Sequence, residues 1–481
     1  MLTAEGAYRS VPLMKAVVFI LIALLSPAGS AKETKPVRPD VLARTHDQAE
    51  NGEAEAQFNL GSQFARGEGV DRDLAEAVKW YRKAAEQGHA RAQAKLGVML
   101  EGGFGVARDS AEAVRWFRKA AEQGNPDAQS ALAAYLTDGS VVPRDVAEAT
   151  KWKRMAVAGH RRLAEQGDAE AQWLLGSHYA AGDEGVKDAA EAVKWWRKAA
   201  EHNASCALNL AAKYLAGDGV GKNPTEAIKW YRKAADQGEA TAELELGNIY
   251  MFGRADGVAR NPVEAVKWYR KGANRGNVDA QSNLGAAYYD GIGITENLAE
   301  AMLWYRKAAT QGSTFAQMEI GKMFAKGEGV PKDPLEAVKW YREAAGEGDK
   351  KGAADERPSA ANLFGRIGAQ VCLGQMYAAG EGVVKDSVEA LKWYRKAADQ
   401  GDPKAQSLVG AAHENGVGVP IDKNEALVWY NLAAISGDDF YLKDRNRLER
   451  FLGAETSRLA QQRSKELQQQ IDERKGRAAG R

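Results

Sequence analysis

Histidine, cysteine and carboxylate side chains are the groups of this 481-residue chain that could bind a metal or act as nucleophile and base. The chain contains two cysteines, Cys206 and Cys372, and six histidines: His46, His89, His160, His178, His202 and His413. No two histidines stand four residues apart, and the sequence has no HExxH, CxxC or GxSxG motif. The sequence therefore predicts no metal site, no cofactor and no catalytic residue.

A cluster of basic and aromatic residues recurs along the chain and could bind nucleic acid or enclose a ligand. It reads DLAEAVKWYRKAAEQG at 73–88, DSAEAVRWFRKAAEQG at 109–124 and NPTEAIKWYRKAADQG at 223–238. A protein that binds a phosphate backbone needs a surplus of cations, but 65 Asp and Glu residues balance the 66 Lys and Arg residues. Nucleic acid is therefore not expected as a partner.

The tryptophan of this segment returns ten times, mostly at intervals of 35–38 residues: Trp80, Trp116, Trp152, Trp195, Trp230, Trp268, Trp304, Trp340, Trp393 and Trp429. Asp or Asn stands seven residues before each tryptophan and Glu four residues before it, which is the spacing of a capping box at a helix start. Glycines such as Gly88 and Gly124 follow, where a left-handed residue ends a helix. Each segment is predicted to be one capped helix, helix B, with its tryptophan in the structural core.

The aromatic and basic residues of helix B are expected to point in different directions. In the first segment, Ala77, Trp80 and Tyr81 follow helical spacing and predict an apolar stripe that faces neighbouring helices. The cations fall on the other side, where Arg82 and Glu86 are spaced for a surface ion pair. The tryptophans are therefore predicted to pack in the core while the cations remain in solvent.

A second apolar segment precedes each helix B and is predicted to be helix A, for example AQFNLGSQF at 56–64 and AQSNLGAAY at 280–288. Turns such as GEGVDRD at 67–73 and GEGVPKD at 327–333 connect the two helices, and their glycines permit positive φ angles. None of these turns has the spacing of a phosphate-binding loop. Helix A, turn and helix B are predicted to repeat ten times from 52 to 437.

The motifs A-x-x-x-L-G-x-x-Y, G-x-G-V, D-x-x-E-A and W-Y-x-x-A-A-x-x-G closely resemble the Sel1-like repeat family, within the tetratricopeptide-repeat-like superfamily. The resemblance implies an all-α fold, a right-handed α/α solenoid of about ten helix–turn–helix repeats. Residues 32–51 are predicted as a linker and an N-terminal capping helix, and 438–481 as C-terminal capping helices with a basic tail. Two insertions interrupt the pattern: helix B runs on or kinks near 161–167, and 349–366 forms a loop or a longer helix A that shapes a partner site.

The first 31 residues have the features of a secretory signal peptide. Met14 and Lys15 precede a ten-residue apolar run from Ala16 to Leu25, and Pro27 with several small residues follows. The run is shorter than the roughly 20 residues of a comfortable membrane span. We expect a periplasmic or secreted protein that starts at Met14, with an uncleaved N-terminal anchor as the alternative. The two cysteines lie four repeats apart, too far for a disulfide, and are expected to be buried free thiols.

The concave wall of such a solenoid is lined by helix A, and its variable positions predict a partner surface. The residues next to the recurring Leu-Gly pair supply this surface: Asn59, Gln63, Lys95, Met99, Tyr135, His178, Asn209, Lys213, Asn283, Lys322, Met323, Gln375 and Met376. Polar residues mixed with methionines suit an extended peptide or a helix of another protein. The resemblance implies an exported, non-catalytic adaptor, since similar proteins assemble envelope complexes or regulate signalling and exopolysaccharide output through protein partners.

Two other functions stay open at the level of sequence. Secreted cysteine-rich members of the family bind penicillin-like compounds, and this resemblance implies a β-lactamase-like hydrolase as one alternative. The chain lacks the repeated disulfides of those proteins and the S-x-x-K motif of serine β-lactamases. The aromatic content of 8% suggests a peptidoglycan- or glycan-binding module as the other. The expected partners are proteins or peptides of the cell envelope, without an integral membrane span after signal cleavage.

Overall fold

The computed structural model describes residues 39–182, 187–253, 257–346 and 360–480. The predicted signal peptide, residues 32–38 and residues 349–359 of the second insertion lie outside the described residues. Every regular element in the described ranges is an α-helix, so the predicted all-α fold is confirmed. In this part of the chain, no helix combines the length with the apolar character that a bilayer crossing requires.

Twenty-three helices follow one another in the described ranges. They are α1 (Pro39–Glu50), α2 (Ala54–Arg66), α3 (Leu74–Glu86), α4 (Ala90–Gly102), α5 (Ser110–Glu122), α6 (Pro126–Asp138), α7 (Val146–Glu165), α8 (Ala169–Ala181), α9 (Ala189–His202), α10 (Ala204–Ala216), α11 (Pro224–Asp236), α12 (Ala240–Phe252), α13 (Pro262–Asn274), α14 (Val278–Asp290), α15 (Leu298–Thr310), α16 (Thr314–Lys326), α17 (Pro334–Ala345), α18 (Ala360–Ala379), α19 (Ser387–Ala398), α20 (Pro403–Asn415), α21 (Lys423–Ala434), α22 (Asp439–Leu452) and α23 (Ala454–Gly480). Even-numbered helices from α2 to α20 are helix A of the ten repeats, and odd-numbered helices from α3 to α21 are helix B.

The helices form two compact units. The first contains α1 to α11 and α12 up to Ile249, and the second contains Tyr250–Phe252 and α13 to α23. Within each unit, helix A packs on helix B of its own repeat and on helix B of the repeat before it. The core therefore runs between consecutive helix pairs instead of around one centre, which is the tandem packing of a repeat solenoid.

Each helix B begins at its predicted cap. The side chain of Asp73 accepts a hydrogen bond from the backbone N–H of Glu76 at 2.9 Å, and the nine equivalent Asp and Asn residues cap their helices in the same way. In a full capping box, the side chain of Glu76 would also accept a hydrogen bond from the backbone N–H of Asp73. This part of the prediction is wrong. The backbone N–H of Asp73 donates to the carbonyl of Phe64 on helix A at 3.0 Å. Because that N–H is already bonded, the glutamate has a different function.

The recurring glutamates of helix B connect consecutive repeats. Glu112 accepts one hydrogen bond from Nε1 of Trp116 at 3.1 Å and another from Arg82 of the preceding helix B at 2.5 Å. The same two bonds recur one repeat later. The hydrogen bond from Arg82 lowers the pKa of the Glu112 carboxyl. Arg82 therefore binds the next repeat and does not form the predicted pair with Glu86.

The two aromatic residues of helix B pack in different ways. Tyr81 lies so close to Gly61 of helix A that a Cβ at position 61 would be 2.9 Å from the ring. Trp80 is buried, and Nζ of Lys83 lies 3.9 Å from the centroid of its ring. This lysine–tryptophan stacking recurs in at least six further repeats. The recurring lysines therefore cover the solvent-facing side of the indoles and stabilise them through cation–π contacts.

A buried glutamine on helix A forms a further link between repeats. Gln93 donates from Nε2 to the carbonyl of Ala85 in the preceding helix B at 3.0 Å, and its Oε1 accepts from Gln123 at 2.7 Å. The bond to the preceding helix B recurs in other repeats, at Gln129, Gln172, Gln281 and Gln406, and Gln57 makes the equivalent bond to Ala49 of α1. The sequence shows the recurring A-Q and E-Q-G dipeptides, but only the structure shows that they bond to each other.

The third repeat departs from the pattern in both of its helices. α7 continues without interruption from Val146 to Glu165, so the 161–167 insertion lengthens helix B and does not kink it. Lys153 replaces the aromatic residue of helix B, and Ala133 replaces the glycine of helix A on which that ring would pack.

The described part of the second insertion belongs to a longer helix A. α18 starts at Ala360, well before the region that matches helix A of other repeats. Asn362 accepts a hydrogen bond from the backbone N–H of Thr314 at 3.1 Å, which attaches the extension to α16. Gly365 lies against the same segment, where a Cβ would be 2.3 Å from the backbone N of Phe315. The extension is therefore packed on the preceding repeat.

Candidate functional site

The solvent-facing side of the A helices, which we name the helix A face, is the candidate binding site. Eight of the thirteen predicted partner residues have accessible side chains. Three are exposed, Asn59, Asn209 and Gln375, and five are half-buried, Gln63, Lys95, Lys213, Asn283 and Lys322. Their chemical character differs from repeat to repeat, whereas the buried residues of the same helices recur. Variable exposed side chains on a regular scaffold are suited to recognising a partner.

Five predicted partner residues are buried: Met99, Tyr135, His178, Met323 and Met376. The prediction that these five side chains lie on the accessible face of helix A is wrong. Each follows the small alanine at the start of its helix by seven residues, as Met99 follows Ala92. Side chains seven residues apart lie on the same side of a helix, and here that side packs against helix B. The position two residues after the glycine is therefore part of the core in these five repeats, whereas Gln63 and Lys213 are half-buried at the equivalent position.

The recurring tryptophans of helix B are mostly enclosed by neighbouring helices. Eight of them are at most 8% exposed: Trp80, Trp152, Trp195, Trp230, Trp268, Trp304, Trp393 and Trp429. Trp116 and Trp340 are partly exposed, although both pack against a hydrophobic cluster of their unit. No tryptophan of this set lies on the helix A face, so the face consists of other side chains.

A chain of three titratable side chains joins the third and fourth repeats in the first unit. Nε2 of His160 on α7 lies 3.0 Å from Oδ1 of Asp127 on α6. Nδ1 of the same ring lies 3.1 Å from Nε2 of His178 on α8. His160 is 1% exposed and His178 is 9% exposed, so the two rings interact with little access to water. Side-chain hydrogen bonds of these residues thus connect α6, α7 and α8.

The contacts among Asp127, His160 and His178 are not predicted by the sequence. His160 occupies the position of the helix-ending glycines Gly88 and Gly124, and His178 occupies a core position of helix A. Both substitutions were visible as departures from the repeat. The two histidines meet because α7 continues through the insertion as one helix. The residue spacing in the sequence does not decide whether helix B continues or kinks there. An irregular residue at a repeat boundary was therefore the signal that could have found the cluster.

Charged groups around this cluster perturb one another. Burial disfavours the ionised form of Asp127, but the hydrogen bond from His160 and the positive charges of His160, Lys95 and His178 outweigh it, and the pKa of Asp127 is lowered. Burial lowers the pKa of Lys95. Desolvation by the surrounding helices raises the pKa of Glu170, while the charge of Lys95 opposes that change. The helix A face of the first unit thus holds charges of both signs close together.

The helix A face of the second unit combines charges with aromatic rings. Lys322 pairs with Glu319 on α16 at 2.7 Å. On the same helix, the ring of Phe315 lies 6.3 Å, centroid to centroid, from that of Phe364 in the α18 extension. Phe364 is 61% exposed. An ion pair and an exposed aromatic ring therefore lie on these two neighbouring helix A segments of the second unit.

Both cysteines are free, and their reactivities are expected to differ. Burial raises the pKa of the Cys206 thiol to about 12. Cys372 is only partly buried, in contrast to the expected burial. Its pKa is also raised by burial, while nearby Lys322 opposes the increase.

At pH 8 we expect N-ethylmaleimide to modify Cys372 slowly and Cys206 not at all, because the reaction needs both a thiolate and access to it. Peptide mass spectrometry would measure both rates, with the urea-unfolded chain as control, and equal rates in the folded protein would contradict this.

Other features of the described residues provide little for catalysis. Among the described residues, no group of three or more His, Cys, Asp and Glu side chains could hold a metal ion. An open groove of about 740 Å³ is lined by α21, α22 and α23, with Asn431, Arg445, Lys465 and Asp472 among its lining residues. Neither a histidine nor a cysteine is among the described residues that line this groove.

Tandem helix pairs with a recurring core and a variable face define a helical repeat protein. The model of the Sel1 repeat family matches ten consecutive segments: 54–89, 90–125, 126–158, 169–203, 204–239, 240–277, 278–313, 314–349, 368–402 and 403–438. The chain therefore belongs to the Sel1 repeat family, which confirms the resemblance seen in its motifs. Sel1 repeats generally form non-catalytic scaffolds for protein interactions.

Two solved structures illustrate the similarity. A protective antigen present in uropathogenic Escherichia coli strains, which displays an SLR fold, is 33% identical to this chain. That match covers 91% of this chain and 96% of the antigen, with a TM-score of 0.39. A Sel1 repeat protein from Oxalobacter formigenes is 27% identical over 82% of this chain and 93% of its own length, with a TM-score of 0.40. Comparison with curated proteins gives no match.

Proposed function

We propose that the protein is an exported, non-catalytic adaptor that binds protein or peptide partners of the cell envelope on its helix A face. The main supporting observation is the contrast between the two sides of helix A. Core positions repeat nearly unchanged, while accessible positions change chemistry along the chain, as Asn59, Lys95 and Glu319 do at one equivalent position.

The face also has the mixed character that peptide recognition needs. Asn and Gln side chains can bond the backbone of an extended segment, while Phe364, with 61% exposure, offers apolar contact. The lysine and carboxylate groups near Lys95 and Glu319 can orient a charged partner. Envelope signalling and control of exopolysaccharide output are the processes in which such an adaptor would act.

Export is the second part of the proposal, and the apolar run in residues 16–25 supports it. We expect residues 1–31 to direct a fused alkaline phosphatase to the periplasm, with activity lost when Leu21 is replaced by Arg. Equal phosphatase activity of the two fusions would contradict export by this segment.

Site-specific crosslinking tests the binding face. A photoreactive residue at position 59, 209 or 375 is expected to give discrete adducts with envelope proteins in cells, identified by mass spectrometry. Lys79, Lys267 and Lys392 are matched controls, because their side chains on helix B are 63–68% exposed. Adducts of equal yield from the helix B positions would contradict binding on the helix A face.

Hydrolysis of nitrocefin by the purified full chain would contradict the non-catalytic part of the proposal and favour the β-lactamase-like alternative.

A further inference from the structure

We propose that the open groove at the C-terminal end of the second unit binds an extended peptide segment of a partner protein, and that Arg445 and Lys465 bind an acidic residue of that segment. We name this site the C-terminal groove; Asn431, Ile435, Arg445 and one side of α23 line it. None of its described lining residues belongs to a helix A, so the site goes beyond the proposed function and does not depend on the helix A face.

The groove is open because the last two helices do not pack as a further repeat. Within a repeat, as between α20 and α21, helix A and helix B make extensive contact along their length. α22 and α23 both pack on α21 but make little contact with each other. The space beside α21 that a paired helix would fill is therefore left open along α23.

An asparagine replaces the residue that connects earlier repeats to their successors. Arg82 and Arg118 stand two residues after the tryptophan of helix B and bond to a glutamate of the next helix B. Asn431 occupies this position in the last repeat. Its Nδ2 is buried and has no hydrogen-bond partner within the described part of the chain. Because χ2 of asparagine is a soft torsion, rotation of the amide can bring Nδ2 to an acceptor in the groove and remove the cost of the unpaired donor.

Amide side chains along α23 indicate the kind of occupant. Gln461, Gln468 and Gln469 line the groove, and Nε2 of each donates to a carboxylate of α22 or α23, as Gln468 does to Asp472 at 2.8 Å. Oε1 of each is therefore the atom that can accept from an occupant, while Nδ2 of Asn431 can donate to it. An extended segment offers both backbone N–H and C=O groups, whereas a helix has bonded most of them internally.

The length of the groove suits a short segment. Gln461 and Asp472 are eleven residues apart on α23, which corresponds to about 16 Å along a helix. An extended chain rises about 3.3 Å per residue, so the groove accommodates about five residues. Ile435, which is 63% exposed, provides an apolar contact beside the amides.

The charges of the groove favour an acidic residue in the occupant. Lys465 makes no ion pair with another described residue, and Nε of Arg445 lies 4.0 Å from its nearest listed carboxylate partner, Glu449. The carboxylates of Asp472 and Glu473 instead accept hydrogen bonds from glutamines of α23. The cations are therefore less compensated than the carboxylates, and a carboxylate of the partner would complement them.

Subtractive selection of random heptapeptides on phage tests the site with the full chain. The library is first depleted on the double variant Arg445→Ala/Lys465→Glu and then selected on the wild-type protein. We expect the surviving sequences to share an Asp or Glu. Synthetic peptides of these sequences should bind Lys465→Glu about tenfold more weakly than wild type, because attraction is replaced by repulsion, and should bind wild type more weakly as salt is raised. Arg458→Glu is the matched control, since Arg458 is exposed on α23 but does not line the groove, and its affinity should equal that of wild type.

Asn431→Leu provides a second variant with two opposite effects. Removing the unpaired donor should leave the thermal unfolding midpoint unchanged or raise it, while peptide binding weakens about fivefold, the effect of one hydrogen bond. A photoreactive residue at position 469 should form an adduct with the selected peptide, and one at position 59 should not. Recovery of no peptide after depletion, survivors without an acidic residue, equal weakening in Lys465→Glu and Arg458→Glu, or adducts at position 59 alone would each overturn the proposal.

Discussion

Replacing Trp393 by alanine is expected to lower the free energy of unfolding of the second unit by about 3–5 kcal/mol. The side chain is 1% exposed and belongs to a cluster with Met318, Tyr341 and Leu373 from the two preceding helix A segments and the helix B between them. Truncation would remove the indole and leave a cavity that rigid helices on both sides cannot fill. Urea unfolding followed by circular dichroism would measure the change.

Two control variants separate this cavity effect from other losses. Trp340→Ala should cost less, because Trp340 is partly exposed and leaves a space that water can enter. Trp393→Phe should also cost less, since Nε1 of Trp393 has no hydrogen-bond partner within the described part of the chain. A loss below about 1 kcal/mol for Trp393→Ala would show that this ring does not hold adjacent repeats together.

The second large effect is expected for Gly105→Ala, with a loss of about 2–5 kcal/mol in the first unit. Gly105 has a φ angle of 68°, which disfavours any residue with a Cβ. A Cβ at this position would also lie 2.3 Å from the backbone carbonyl carbon of Leu74, at the start of the preceding helix B. Because that atom is backbone, the turn or the helix start must move.

Gly124→Ala is the matched control for this variant. Gly124 has a similar φ angle of 86°, but a Cβ there would meet nothing within 4 Å. Only the left-handed conformation is then penalised, by about 1–2 kcal/mol. Thermal or urea unfolding of both variants would isolate the contribution of the close approach between repeats. Equal losses would mean that the contact with Leu74 relaxes without cost.

Much of the architecture followed from local chemistry. Asp73 caps helix B because a short acceptor side chain at that position reaches the N–H of Glu76, and this depends only on neighbouring residues. Helix B ends before Gly88, whose positive φ angle of 89° is a conformation that glycine adopts readily. Burial of Trp80 likewise follows from helical periodicity. Repetition of these signals made the helix pairs predictable.

The candidate site was only partly predictable, because exposure on helix A depends on how closely the neighbouring helix packs. Spacing placed Asn59 and Asn209 on the accessible side correctly, since Asn59 follows the small Ala56 by three residues and Asn209 follows Cys206, which replaces that alanine, by three. It placed Met99 and Met323 there incorrectly, because the width of the contact with helix B was not known. The periodicity of a helix gives the direction of a side chain but not the distance to its neighbour.

The sequence by itself determined the elements of this protein: ten capped helix pairs, their turns and the tryptophan stripe of helix B. Tertiary structure alone decided which polar groups meet. Glu112 bonds to Arg82 of another repeat, Gln93 to Gln123, and His160 to Asp127 and His178. The physical reason is range: caps and helical stripes depend on residues within a few positions, whereas these bonds join side chains 18 to 33 residues apart. Such bonds form only when consecutive repeats have packed at a definite distance and rotation.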